Sequence, residues 1–466
     1  MSAIIHLGAD GWKARLDADF DNDNVARLAS AAGALWKRDD PGATVYVAYD
    51  ARPEAREFAK LAAEVVASHG LVAKLVQEPT PIPALSWAVA RDGAACGGIM
   101  VTGSHHPAEY LSMKFRMADG ACPTQDFNEQ IEDLVGPAPV DAHGSYHGVD
   151  IVSPYIEELQ SLVDARAIAD AHLKIVYDPM YGAARGVFAR ALRSMGVEVR
   201  EIHGSDCASE AEFHPSPVEP WVDDCEEAVV EGGAVAGFIN DGDADRVGAV
   251  DDQGRFVCSD KIAALLMAHL VKVRGESGRA VINLSSSVTI RRMAQELGCR
   301  LTVKPIGFRN IYKEIDRGDV LIGAEQSGGI AFPAHMPERD GLLTTLLMCE
   351  MMAKTGKTLR ELVDTMEERY GKMRYGRRDL RLEPGRIEML RTMLPGMNPR
   401  EVAGREPTAV SHMDGLKLEF ADGSWLLIRP SATDSVVRVY AEAEAVELRD
   451  KLLEEGSSLA RGDLYN

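Results

Sequence analysis

Three aspartates occupy alternate positions, Asp241, Asp243 and Asp245, in the run DGDADR that ends at Arg246. Carboxylates spaced this way can gather hard oxygen donors around one divalent cation, which suits Mg2+. An EF-hand would need glycine at the sixth position and glutamate at the twelfth. Those positions hold Arg246 and Asp252, and a β-prone run precedes the loop, so a calcium hand is excluded. The plainer alternative is a solvated acidic turn, whose carboxylates repel one another unless a cation or Arg246 compensates. A second candidate is Ser104 in TGSHHP, residues 102–107, among residue types that discourage regular structure. That setting predicts an exposed hydroxyl, which is a poor nucleophile without a base, a metal or a cationic environment. The bland reading is a serine that caps a turn. His105 and His106 are adjacent, so their side chains diverge and do not suggest zinc.

Two further loops have weaker signals. GAEQSGG, 323–329, offers Glu325 and Ser327 to hydroxyl groups between glycines that admit a ligand, or it is a polar turn. RPSATDS, 429–435, sets Arg429, Ser431 and Thr433 beside backbone N–H groups. That combination makes a compact phosphate cradle, or a surface turn with helix-cap chemistry.

The elements that must position these loops form a pattern repeated three times. Apolar β-prone runs at 45–49, 174–177 and 280–284 each lead into a helix with one apolar face. In the first copy that face is Phe58, Leu61, Ala62, Val65 and Val66. The helices run into Gly70, Gly196 and Gly298, and apolar runs follow at 71–76, 197–202 and 301–306. This is a β-α-β unit with parallel pairing. A further strand in each copy, at 98–101, 235–239 and 320–322, ends in one of the first three loops. Ligands of open α/β sheets bind outside the carboxyl ends of strands, so three such loops could converge on one cleft. The last hundred residues differ. Strands at 416–420 and 425–428 flank the turn Asp422-Gly423, a third strand follows at 436–441, and a helix carries Leu448, Leu452 and Leu453. The reading is three similar mixed α/β domains, 1–148, 149–252 and 253–369, plus a smaller C-terminal α+β domain, 370–466, around a central cleft.

The chain has 466 residues, a formal net charge of −21 and 46% apolar residues, values of a globular protein of several domains. A diffuse acidic surface repels nucleic acid and anionic membrane, so neither is expected as a partner. It also repels phosphate esters, so such a substrate requires cations concentrated locally in a cleft. Seven cysteines without a CxxC pair suggest reduced thiols and a cytoplasmic location. No signal segment or apolar run of membrane-spanning length is expected. Gly356-Lys357-Thr358 lacks the leading glycine of a P-loop, which is Met351 here.

Taken together and in this order, the four loops resemble those of the α-D-phosphohexomutase family of phosphoglucomutases and phosphomannomutases. The resemblance also takes in GADGWK at 8–13 and YDAR at 49–52, and PERDG at 337–341 looks like the bacterial and archaeal subgroup. It implies that Ser104 carries a phosphoryl group and that Mg2+ lies between it and Asp241, Asp243 and Asp245. It further implies that Glu325 and Ser327 grip hexose hydroxyls, and that Arg429, Ser431 and Thr433 hold the non-reacting phosphate. Lys114, ten residues past the serine, matches a family lysine near the phosphoryl group. Lys13, Lys114, Arg246, Arg309 and Arg429 would supply the cations that an acidic protein needs there. The implied activity interconverts hexose 1- and 6-phosphates through glucose 1,6-bisphosphate or its counterpart, with no obligate protein partner. A bisphosphate synthase, a phosphoglucosamine mutase and a catalytically weak sugar-phosphate-binding protein are the rival readings. The sequence departs from the family at TGSHHP in place of TASHNP, at Leu111-Ser112 in place of Asn-Gly, and at Lys13 in place of arginine. It departs again at Arg309 in place of lysine, at Gly329 in place of a histidine found in some members, and at Ala432, Asp434 and Ser435.

Overall fold

A computed structural model describes residues 4–206, 214–431 and 436–463. The three repeated units form three separate sheets of like topology. In the first, Thr44–Tyr49 pairs in parallel with Val72–Val76 on one side and Ala95–Thr102 on the other. Tyr110–Met117 then returns antiparallel to Ala95–Thr102. The second sheet repeats this with Lys174–Asp178, Glu198–Glu201, Ala236–Asn240 and the antiparallel Val247–Asp251. The third does so with Arg279–Asn283, Leu301–Lys304, Val320–Ala324 and the antiparallel Ile330–Ala331. All three candidate loops are therefore the same feature, the turn between the last parallel strand and its antiparallel return.

The expected helices are Ala55–Ser68, Val187–Ser194 and Val288–Leu297. Gly70, Gly196 and Gly298 follow them at φ 82°, 80° and 67°, left-handed values that glycine adopts without a Cβ clash. Outer strands extend two of the sheets. Tyr146–Val149 joins the first, and Phe256–Val257 joins the second, beyond the expected border at 252. The fourth sheet is wholly antiparallel, in the order Arg374–Arg381, Val436–Ala443, Trp425–Pro430, Leu416–Glu419, Ala409–Ser411. Helix Val446–Arg461 covers it with Leu452 and Leu453.

The first and fourth units have cores of their own. The second and third share one continuous apolar core. Helix Gly341–Thr355 is the reason: every residue from Gly341 to Met352 is buried. A helix buried on all faces needs protein on all sides, which joins the two units firmly. No helix among the described residues is long and apolar enough to cross a membrane.

Candidate active site

Strand Ala95–Thr102 delivers Thr102 and Gly103 to a buried clamp. Asp50 Oδ2 accepts from Thr102 Oγ1 at 2.7 Å and from the Gly103 N–H at 2.9 Å. The Arg52 guanidinium threads the loop and donates to the carbonyls of Ser104, His106, Pro107 and Tyr110. A Cβ on Gly103 would fall 1.8 Å from the Arg52 guanidinium carbon, so only glycine lets that arginine pass. Ser104 itself sits at φ 49°, a left-handed conformation worth about 1–2 kcal/mol of strain in a non-glycine residue. Its hydroxyl is buried, not exposed as its loop composition suggests: Ser104 is only 3% accessible. The metal loop covers it, and a Cβ on Gly242 would lie 2.6 Å from the Ser104 carbonyl oxygen. Ser104 Oγ donates to Asp241 Oδ2 at 3.1 Å and lies 3.4 Å from His105 Nδ1.

Asp241, Asp243 and Asp245 bring carboxylate oxygens within 4.8 Å of one another, and each residue is at most 1% accessible. Lys114 Nζ donates to Asp243 Oδ2 at 2.7 Å, and Arg339 Nη2 lies 2.9 Å from Asp245 Oδ2. Arg246 Nε stands 3.8 Å from Asp241 and 3.7 Å from Asp245. Asp243 Oδ1 and Asp245 Oδ1 are buried and accept no hydrogen bond among the described residues. Burial, then the charges of Asp245 and Asp243, pushes the Asp241 carboxyl well above its usual range. Burial also opposes ionisation of Asp243, but Lys114 outweighs it and holds that carboxyl at about 2. Crowded, buried oxygens with unused lone pairs are what a small hard cation requires. The residues fit a divalent ion of the Mg2+ type.

The surrounding field is positive despite the acidic chain. Burial first, and then Lys13, Arg246, Lys114 and Arg52, push the His106 imidazole down to about 3. His105 is lowered too, by burial and then by Arg246. Both rings are therefore neutral at ordinary pH. The local concentration of cations that a phosphate ester demands is present.

The third loop closes over the second. Val247 N donates to Gly328 O at 3.0 Å, and Arg246 and Gly329 form a β-bridge. A Cβ on Gly329 would lie 2.3 Å from Arg339 Cδ. Glycine at position 329 thus makes room for that arginine. Glu325 is buried with its Oε2 3.6 Å from Arg339 Nη1. Burial pushes its carboxyl up to about 7, against the pull of Arg339 and Arg246.

Four profiles of known families match the chain. They are phosphoglucomutase/phosphomannomutase alpha/beta/alpha domains I, II and III, over residues 5–137, 153–254 and 258–370, and the C-terminal domain, over 394–455. The chain belongs to the phosphoglucomutase/phosphomannomutase family. It is thereby a phosphohexomutase, an intramolecular phosphotransferase of the isomerase class. A phosphoglucomutase/phosphomannomutase of Thermococcus kodakarensis is 29% identical over 81% of each chain. A phosphoglucosamine mutase of a Parafrankia species is 30% identical over 95% of this chain and 96% of its own. The crystal structure of a protein provisionally named a phosphomannomutase, from Thermus thermophilus, superposes with a TM-score of 0.89 at 33% identity, covering 99% of this chain and 100% of the other.

Within this phosphohexomutase fold, Ser104, Lys114, Arg246, the three aspartates and Glu325 meet in one cluster. Ser327 is half-buried on the Glu325 loop. Lys13 is exposed, with its Nζ 5.6 Å from the centre of the Tyr110 ring. Arg309 donates to the carbonyl of Ala9 at 2.7 Å, at the junction of the first and third units. Arg429 and Ser431 stand on the fourth unit, where Arg429 Nε donates to Asp414 and the Ser431 carbonyl accepts from Arg391. Thr433 lies outside the described residues. Arg339 has no place among the sequence-based site residues, yet it contacts Asp245, Asp10, Glu325 and Glu338. Its signal is the PERDG segment, which by sequence marks only a subgroup.

Proposed function

We propose that this phosphohexomutase interconverts hexose 1-phosphate and hexose 6-phosphate, with glucose the favoured hexose and mannose second, through phospho-Ser104 and a 1,6-bisphosphate. One observation carries the reading: the Ser104 hydroxyl hydrogen-bonds to Asp241 inside a buried carboxylate triad with Lys114 beside it. Asp241, Asp243 and Asp245, with the Ser104 oxygen, would hold Mg2+, which when bound polarises phosphoryl oxygens.

Phosphoryl transfer depends mainly on positioning and on neutralising oxygen charge. In the proposed cycle the free hydroxyl of the bound monophosphate attacks phospho-Ser104. The bond from phosphorus to Ser104 Oγ breaks and the bond to the sugar oxygen forms; the attacking hydroxyl gives up its proton and the released Ser104 oxygen takes one up, so the step exchanges one proton with no net gain or loss. The bisphosphate reorients, and its other phosphoryl group returns to Ser104. Burial opposes the charge on Lys114, but Asp243, Asp245 and Asp10 outweigh it and keep the amine protonated above its ordinary range. Lys114 therefore acts as a fixed positive hydrogen-bond donor to phosphoryl oxygens. Glu325 and Ser327 would take the hexose hydroxyls. Arg309, Arg429, Ser431 and Thr433 would hold the distal phosphate, with Lys13 and Arg246 adding positive charge.

Glucosamine phosphate is the second reading, supported by the several relatives named phosphoglucosamine mutases. A panel of glucose, mannose and glucosamine 1-phosphates, with Mg2+ and glucose 1,6-bisphosphate as activator, tests the choice. Highest kcat/KM on glucose 1-phosphate is expected. A strong preference for either other sugar overturns it, and accumulation of free bisphosphate instead of 6-phosphate identifies a synthase.

A further inference from the structure

Asp414 lies in the turn before strand Leu416–Glu419, in a segment that none of the four loops includes. Its Oδ2 accepts two hydrogen bonds. One comes from Arg429 Nε at 2.8 Å, within the fourth unit, and the other from the Ile306 N–H at 2.9 Å, across the seam to the third unit. The backbone enforces the meeting. Gly415 stands at φ 99°, and a Cβ there would lie 2.2 Å from the Ile428 carbonyl oxygen and 3.1 Å from Arg429 Cα. Only glycine lets the turn close this tightly on the strand that bears Arg429.

The Ile306 segment is itself anchored. Asn283 Nδ2 and Asn310 Nδ2 both donate to the Pro305 carbonyl, and Arg309 reaches the Ala9 carbonyl of the first unit. Other ties cross the same seam: Lys417 to the Leu284 carbonyl, the Val288 N–H to Glu442, and Arg291 to Glu419. None of those touches Arg429 or residues 305–309. With Nε committed to Asp414, the two terminal nitrogens of Arg429 have no hydrogen-bond partner among the described residues. They form the fork that suits a phosphate dianion.

We propose that Asp414 is a positioning residue that aims the Arg429 fork into the cleft and sets its register against the Pro305–Arg309 loop. The proposal rests on the reading that Arg429 holds the distal phosphate. A carboxylate shared by a charged guanidinium and a backbone N–H fixes one orientation of a side chain that otherwise has many rotamers. Loss of that fixing weakens the grip on substrate phosphate more than it slows the chemistry at Ser104.

The test is steady-state kinetics on Asp414→Ala, Asp414→Asn, Arg429→Ala and the double variant Asp414→Ala/Arg429→Ala, with hexose 1-phosphate varied at saturating Mg2+. The expected result is a KM raised about tenfold in Asp414→Ala with kcat changed less than about threefold. Asp414→Asn, which keeps a neutral acceptor, should fall between it and the parent, and the double variant should match Arg429→Ala alone. A KM for both Asp414 variants within twofold of the parent, while Arg429→Ala raises it, overturns the proposal. So do effects of Asp414→Ala and Arg429→Ala that multiply in the double variant, which would mean that Asp414 acts elsewhere. An unchanged KM in Arg429→Ala defeats instead the underlying reading of the phosphate loop, and the proposal with it.

Discussion

Arg339 places one guanidinium nitrogen 2.9 Å from Asp245 Oδ2 and 3.3 Å from Asp10 Oδ2 while almost fully buried. It is the hub of the cluster, since Glu325 and Glu338 also lie against it. Removing one partner of a buried ion pair leaves an uncompensated charge and costs about 3–5 kcal/mol. Arg339→Met should lose that much stability in urea denaturation with a chelator present. Adding Mg2+ should restore part of it, because a bound cation compensates the same carboxylates. A loss below about 1 kcal/mol contradicts the role of hub.

The Glu325 carboxyl, raised by burial to about 7, is half-ionised near neutrality. In its ionised form both oxygens can only accept hydrogen bonds, the state suited to the proposed grip on hexose hydroxyls, while in its acid form one oxygen carries a proton and donates. If the ionised form is the productive one, kcat/KM rises about tenfold between pH 6 and pH 8 on this group alone. Titration of the substrate phosphate adds its own slope, so the comparison is with Glu325→Gln. The ratio of parent to variant should rise with pH, and a ratio flat across that window counts against Glu325 as a hydroxyl acceptor.

Asp260 lies at the seam of the third and fourth units, where its Oδ2 accepts from the Ser287 N–H at 3.0 Å. Burial first, and then the Glu442 charge, raise its carboxyl from 3.8 to about 7. The folded state therefore holds a proton that the unfolded state releases. The stability this group contributes is present in full below about pH 4 and is lost as pH rises toward 7, on the order of a few kcal/mol in all. Asp260→Asn should be more stable than the parent at pH 8 and lose most of that advantage by pH 5, read from melting temperature. An advantage that is the same at both pH values disproves the shift.

Much of this architecture is legible along the chain because three β-α-β units announce themselves by period and by a closing glycine. The antiparallel returns are not. Val247–Asp251 is buried on both faces and does not alternate, and Ile330–Ala331 is only two residues long. Helix Gly341–Thr355 lacks a polar stripe, so the shared core of the second and third units leaves no amphipathic signature. At the site, residues close in sequence can be read: the three aspartates and the serine loop. Arg339 cannot, because its partners Asp10, Asp245 and Glu325 come from three different units. The burial of Ser104 is hidden for the same reason, since the lid over it is Gly242 of the second unit.

The central claim is that Ser104 carries the phosphoryl group. Its most direct test is intact-mass and peptide mass spectrometry after incubation with glucose 1,6-bisphosphate and Mg2+. One added phosphoryl group is expected, located on Ser104 and discharged by hexose monophosphate. None is expected on Ser104→Ala, whose turnover falls at least about a thousandfold. A phosphoryl group on another residue, or near-normal turnover by Ser104→Ala, would contradict the claim.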